Sequence, residues 1–131
     1  MNPSEELRRE RYINLETFRK DGSGVKTPVW FVNIGDKLGV FSNGKAYKVK
    51  RLARDPRVRV AACDVRGKLT TRSEWFAGTG RLLTDEAERE QLYNALKAKY
   101  GIQMGLLTVG ATLSGRRKGW AMIEIDLTLD D

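Results

Sequence analysis

Histidine is absent from this chain, and cysteine occurs once, at Cys63. The first absence excludes Ser-His-Asp and Cys-His nucleophilic machinery, imidazole acid–base chemistry and His-ligated zinc. The second excludes an intrachain disulfide and a thiolate zinc cluster. Cys63 lies in the apolar run Val60-Ala61-Ala62-Cys63 and reads as a small core residue. No apolar run approaches the roughly 20 residues of a membrane span. The first residues, MNPSEELRRER, lack the apolar stretch of a secretory signal. A reducing cytoplasm is the expected compartment. Catalysis, where there is any, must use a borrowed cofactor or carboxylate, Lys or Tyr chemistry; no clustered metal ligands are visible.

Acidic residues are also in short supply. Seventeen Asp and Glu face 24 Lys and Arg, a net charge of +7. That balance favours an acidic partner, whether nucleic acid, anionic membrane or phosphorylated ligand.

The 131 residues suit one domain, 1–131, with 1–11 as an arm or short helix. Tyr12–Arg19 alternates as a first strand. Lys20–Gly24 is a turn in which Asp21-Gly22 supplies the positive φ of a tight hairpin. Val25–Ile34 is a second strand, and Pro28 marks an edge or bulge in it. Lys37–Ser42 is a third, closed by Asn43-Gly44. Ala46–Arg54 places Val49, Leu52 and Ala53 at helical spacing and stops at Asp55-Pro56. Arg57–Asp64 alternates again, with Val58, Val60 and Ala62 on one side. Arg66-Gly67-Lys68 is a turn. Leu69–Leu83 reads as one long strand, or two joined at a Gly78-Thr79-Gly80 bulge. Thr84 or Asp85 caps a helix of about 15 residues with the stripe Leu92, Leu96, Tyr100, ended by Gly101. Ile102–Leu113 reads as a poorer helix, Ser114–Lys118 as a basic turn and Trp120–Leu127 as the last strand. Hairpins dominate, and the rhythm of a parallel sheet is missing. The expected fold is an antiparallel β-barrel with helices outside it, α+β in class.

Residues 44–60 carry seven basic side chains: Lys45, Lys48, Lys50, Arg51, Arg54, Arg57 and Arg59. Only Asp55 opposes them. On a helix Lys48 and Arg51 share one face, and Lys50 and Arg54 another. A phosphate at the helix start would meet Ser42, Asn43, the backbone N–H groups, Lys48 and Arg51 together. A solvated basic face is the plainer alternative. A nucleic-acid patch is another, but Tyr47 is the lone aromatic here and no helix-turn-helix, RNP or zinc-finger pattern appears.

The run Ala46-Tyr47-Lys48-Val49-Lys50-Arg51-Leu52-Ala53-Arg54-Asp55-Pro56 resembles the S-x-K-x-x-[QR]-[IL]-x-x-[ND]-P motif of the pyridoxamine 5'-phosphate oxidase-like split-barrel flavoproteins. Thr27–Val32, Cys63–Gly67 and Trp75–Leu82 match that family's flanking strands, so the resemblance runs from about Tyr12 to Leu127. K-V-K-R-L before D-P-R-V, with T-P-V-W-F and C-D-x-R-G, is similar to the branch that uses the deazaflavin coenzyme F-420. Ala46 replaces the family serine, so one hydroxyl contact is missing unless Ser42 or Asn43 supplies it. The resemblance implies an antiparallel split barrel and an oxidoreductase passing a hydride between F-420 and a conjugated acceptor. The alternatives are an FMN-dependent enzyme of the same fold and a non-enzymatic cofactor carrier. It implies that Lys48 and Arg51 bind the cofactor phosphate, that Lys50 adds charge, and that Pro28, Val29 and Trp30 lie along the ring. It also implies a homodimer with cofactor sites between subunits, where Trp75, Trp120 and Tyr100 are wall candidates unless they serve the core. The expected partners are an anionic cofactor and a small substrate, not nucleic acid or membrane.

Overall fold

The computed structural model describes residues 3–43, 47–70, 74–101 and 120–127. Six strands appear in it: β1 (Tyr12–Phe18), β2 (Gly24–Ile34), β3 (Lys37–Asn43), β4 (Arg57–Cys63), β5 (Phe76–Leu82) and β6 (Trp120–Leu127). Three helices join them: α1 (Pro3–Leu7), α2 (Tyr47–Arg54) and α3 (Glu86–Tyr100). Every strand pair is antiparallel, and the order β1-β2-β3-β6-β5-β4 closes into a barrel. This is the expected architecture. None of the helices among the described residues is long and apolar enough to cross a membrane.

Alternation fills the interior. Ile13, Leu15, Val29, Phe31, Leu38, Val40, Val58 and Val60 meet Ile123 and Ile125 there. Two helices seal the barrel. Leu7 enters this core from α1 and Leu52 from α2. Of the two expectations for this segment, arm or short helix, the described residues from Pro3 on take the helix. On α2 the structure narrows the expected apolar stripe to Leu52; Val49 is half-buried and Ala53 exposed. A second cluster forms outside the barrel, where Leu92, Tyr93, Leu96 and Tyr100 of α3 cover Val32 and Met122. Burial of a side chain of this size is worth about 1.5–3 kcal/mol, so packing rather than helix propensity holds α3 in place.

Local chemistry sets the ends. Gly22 sits at φ 89° in the β1–β2 turn. The Asp85 carboxylate caps α3 by accepting the Glu88 N–H at 3.0 Å, and Gly101 ends the helix at φ 58°. Asp55 follows α2, and its N–H still closes onto the Arg51 carbonyl at 2.8 Å.

One strand differs from expectation. Leu69 makes an isolated bridge to Cys63, and β5 begins only at Phe76. Gly78-Thr79-Gly80 forms no bulge, because its register with β4 and β6 runs on without a skipped residue. These glycines answer a close approach instead. A Cβ on Gly78 would strike the Asp126 carbonyl, and one on Gly80 would lie 3.0 Å from Leu52. The helix expected over Ile102–Leu113 and the basic turn Ser114–Lys118 lie outside the described residues.

Candidate functional site

Helix α2 lies over the barrel end where β1 and β3 terminate. Leu52 points inward against Val58 and Gly80. The same 3.6-residue period then puts Lys48 and Arg51 on a half-buried flank, and leaves Lys50 and Arg54 exposed. Burial separates the two expected pairs, but Arg54 of the exposed pair reaches the same end of β1 as Arg51.

The arginines are tied to the end of β1. Arg51 Nε donates to Thr17 Oγ1 at 2.7 Å, and Arg54 Nη2 donates to the Phe18 carbonyl at 3.0 Å. The nearest acid in sequence, Asp55, pairs with Arg57 at 2.8 Å and its pKa is also lowered by the Arg54 charge, but its carboxylate does not act on Lys48 or Arg51. Burial holds the Lys48 ammonium below the usual lysine range, and the Arg51 charge adds to this. Arg51 is pushed down too, first by burial and then by Arg19 and Arg54. With Lys48 lowered by Arg51 and no carboxylate acting on either of them, this pair carries a local surplus of positive charge. An anion seated there relieves the repulsion and takes up donors in charge-assisted bonds. The residues present thus fit a phosphate group.

Ser42 ends the inward row Leu38, Val40, Ser42 of β3 and is buried. Its backbone pairs with Ala121, and that of Asn43 with Trp120. Gly44–Ala46, where the helix-start contact was expected, lies outside the described residues. The segment Pro28–Trp30 divides its side chains between the two faces of β2. Val29 enters the core. Trp30 faces α3, with one ring face stacked on Tyr100 at 4.4 Å and its flank against Phe41. Pro28 lies beneath the Asp64–Lys68 turn, where Gly67 at φ 87° approaches both Asn14 and Pro28. The Asn14 side-chain amide donates to the Gly67 carbonyl at 2.6 Å and fastens that turn. The T-P-V-W-F strand and the C-D-x-R-G turn, 35 or so positions apart in the chain, are therefore one packed unit. The register of β2 with β3 ends at Phe31↔Val40, so among the described pairings Gly24–Trp30 is laddered to β1 alone. Pro28 is an edge proline, not a bulge.

Of the expected wall residues, Tyr100 is buried and serves the core, its hydroxyl held by Arg11 and Phe31 backbone groups. Trp75 is half-buried between Lys26 and Arg59. The Trp120 side chain lies outside the description. Sequence reasoning missed Thr17, Arg19 and Arg54 as neighbours of the seat. The available signal was a hydroxyl continuing the inward row Ile13, Leu15, Thr17.

A cleft of about 240 Å³ opens at the other end of the barrel, beside α1. Glu6, Glu10 and Glu74 line it, together with Leu7, Ala62, Thr70 and Phe76. Its charge is wrong for a phosphate.

The family model described as pyridoxamine 5'-phosphate oxidase matches residues 4–126. The chain belongs to that family. Solved structures agree on the fold. HutZ, a haem storage protein of Vibrio cholerae, aligns with a TM-score of 0.73 over 96% of this chain and 88% of its own, at 13% identity. An F420 reductase aligns at 0.66, covering 98% and 96%, with 18% identity. A FAD-binding protein of Mesorhizobium loti aligns at 0.64, covering 94% and 85%, with 16% identity. At these identities the likeness establishes the barrel of this oxidase family and no more. No curated protein matches the chain.

Proposed function

We propose that this oxidase-family protein is an oxidoreductase that seats the phosphate of a deazaflavin coenzyme, F-420, on the half-buried flank of α2. The observation that carries the reading is the half-buried pair Lys48 and Arg51 on α2, with Arg51 Nε held by Thr17 at 2.7 Å and no carboxylate paired with either among the described residues. Lys48 and Arg51 bind the phosphate, and Lys50 adds charge from the outer face. Ser42 and Asn43, at the end of β3, are the candidates for the hydroxyl or amide contact that Ala46 cannot make. Pro28, Val29 and Trp30 offer the edge of β2 to the ring, Val29 by its backbone alone. The bound coenzyme supplies a hydride to a conjugated acceptor; the chain supplies orientation and charge. That division of labour suits a protein without histidine. FMN is the alternative ligand, because the seat recognises the phosphate that both cofactors carry.

Titration of the purified protein with F-420 and with FMN, followed by fluorescence, tests this directly. Binding of either at micromolar concentration is expected, and binding of neither removes the proposal. Lys48→Ala and Arg51→Ala should each weaken binding by about 1–3 kcal/mol, the range for a lost hydrogen bond to a charged group. Unchanged affinity in the double variant would show that the phosphate sits elsewhere. Turnover of reduced F-420 with an acceptor separates an enzyme from a carrier.

A further inference from the structure

Thr17 interrupts a pattern. Ile13 and Leu15 precede it on the inward face of β1, both in the barrel core. Thr17 continues that row with 1% of its surface exposed. A hydroxyl at such a depth needs a partner, and the partner is Arg51 Nε at 2.7 Å. The bond joins residues 34 positions apart, across the seam between the barrel wall and α2.

An arginine carries five N–H donors in a rigid plane. Fixing Nε restrains that plane, and Thr17 engages neither of the two terminal nitrogens. Arg19 and Arg54 stand close enough to lower the Arg51 pKa, and no carboxylate among the described residues pairs with Arg51. The fork is therefore held but not neutralised. A threonine hydroxyl performs this task without cancelling charge, whereas an aspartate at the same place would consume it.

We infer that Thr17 is a positioning residue for the anion seat: by accepting from Arg51 Nε it aims the guanidinium at the phosphate of the bound cofactor. This rests on the function proposed above. It goes further in naming a residue of β1, remote from the basic segment, that makes the seat selective for phosphate-bearing ligands over phosphate-free ones.

Paired ligands test it. Calorimetric titration of the full chain with FMN against riboflavin, and with F-420 against its phosphate-free deazaflavin core, measures the preference for phosphate. Thr17→Val and Thr17→Ala should reduce that preference about tenfold, as for a lost bond to a charged group. Affinity for the phosphate-free member of each pair should not move. Thr17→Ser keeps the hydroxyl and should restore the preference. Arg51→Lys keeps the charge, loses the bond and lies on the half-buried flank of α2 rather than inside the barrel, so it carries the test if the buried substitutions unfold the barrel; it too should lose the preference. Full phosphate preference in these variants would overturn the inference and leave the seat standing. Equal weakening of both members of a pair would assign Thr17 to packing and overturn it as well. A wild-type protein that binds ligands without preferring phosphate would overturn the seat itself, and this inference with it.

Discussion

Lys99 shows how far one side chain can depart from its sequence pattern. In the sequence it is a favourable cation in the last turn of a helix, next to the negative end of the dipole. In the structure its Nζ is buried without a hydrogen-bond partner, 3.6 Å from the centre of the Phe31 ring. Burial, with Arg11 and Arg8 nearby, lowers its pKa from 10.5 to about 8, and Glu10 opposes the change. The unfolded chain therefore holds more protons than the folded one between about pH 8 and 10.5, and this group makes stability rise with pH across that window. Below it, the folded protein carries a poorly solvated charge. Lys99→Met should raise stability at pH 7 and remove that rise, as read by urea unfolding at pH 7 and pH 10. Cys63, raised from 9.0 to about 11, and Tyr100, raised from 10.0 to about 12, act in the opposite sense in windows that overlap this one and run beyond it. They are present in both proteins, so the difference between wild type and variant isolates Lys99. A variant that keeps the full pH dependence would mean that the ammonium is solvated. Residue type announced the helix position but not the burial, because Phe31 lies on a strand far upstream. Thr17 and Arg51 meet across the same kind of distance, and neither contact has a local signature.

Elements were more legible where their signals are local. Asp85 and Gly101 mark the ends of α3 in the sequence, and the structure uses both. The stop at Asp55-Pro56 and the turn at Asp21-Gly22 hold for the same reason: proline and glycine act through their own dihedral preferences. The β5 segment shows where such reading fails. A glycine inside a strand pattern signals either a bulge or a close approach, and sequence cannot choose between them. The choice is made by β6 and α2, which press on Gly78 and Gly80 respectively. The two glycines should therefore respond differently. Gly78→Ala drives a methyl into the backbone of Asp126 and Leu127, which cannot yield within a paired strand. A loss of about 1–3 kcal/mol or more is expected. Gly80→Ala meets the ends of the Leu52 and Val58 side chains, which can move a few tenths of an ångström. It should cost less stability, but by tilting Leu52 it shifts α2 and weakens binding of FMN or F-420. Thermal unfolding and the fluorescence titration together separate the two effects. Equal losses of stability would contradict the contacts assigned to them.

The barrel as a unit bears on oligomeric state. Its β2–β3 ladder stops at Phe31↔Val40, and the half of β2 that carries Pro28–Trp30 is paired on one side among the described residues. That half-strand is where the proposed ring site lies, and α2 carries the proposed phosphate site at the barrel end. A ring resting on an edge needs a second wall, and the family resemblance implies that a second subunit supplies it. The expected species in light scattering is accordingly a dimer of the 14.8 kDa chain. Cofactor affinity should then weaken on dilution below the dimer dissociation constant, because a ligand bound between two copies stabilises their association by mass action. Salt adds an independent check. A phosphate held by exposed and half-exposed cations on a chain of charge +7 should bind less tightly as ionic strength rises, while riboflavin, which lacks that phosphate, should respond little. A protein that is monomeric at every concentration and binds at full affinity would confine the whole site to one copy. The α2 seat would survive that result, but the second wall would have to come from this chain.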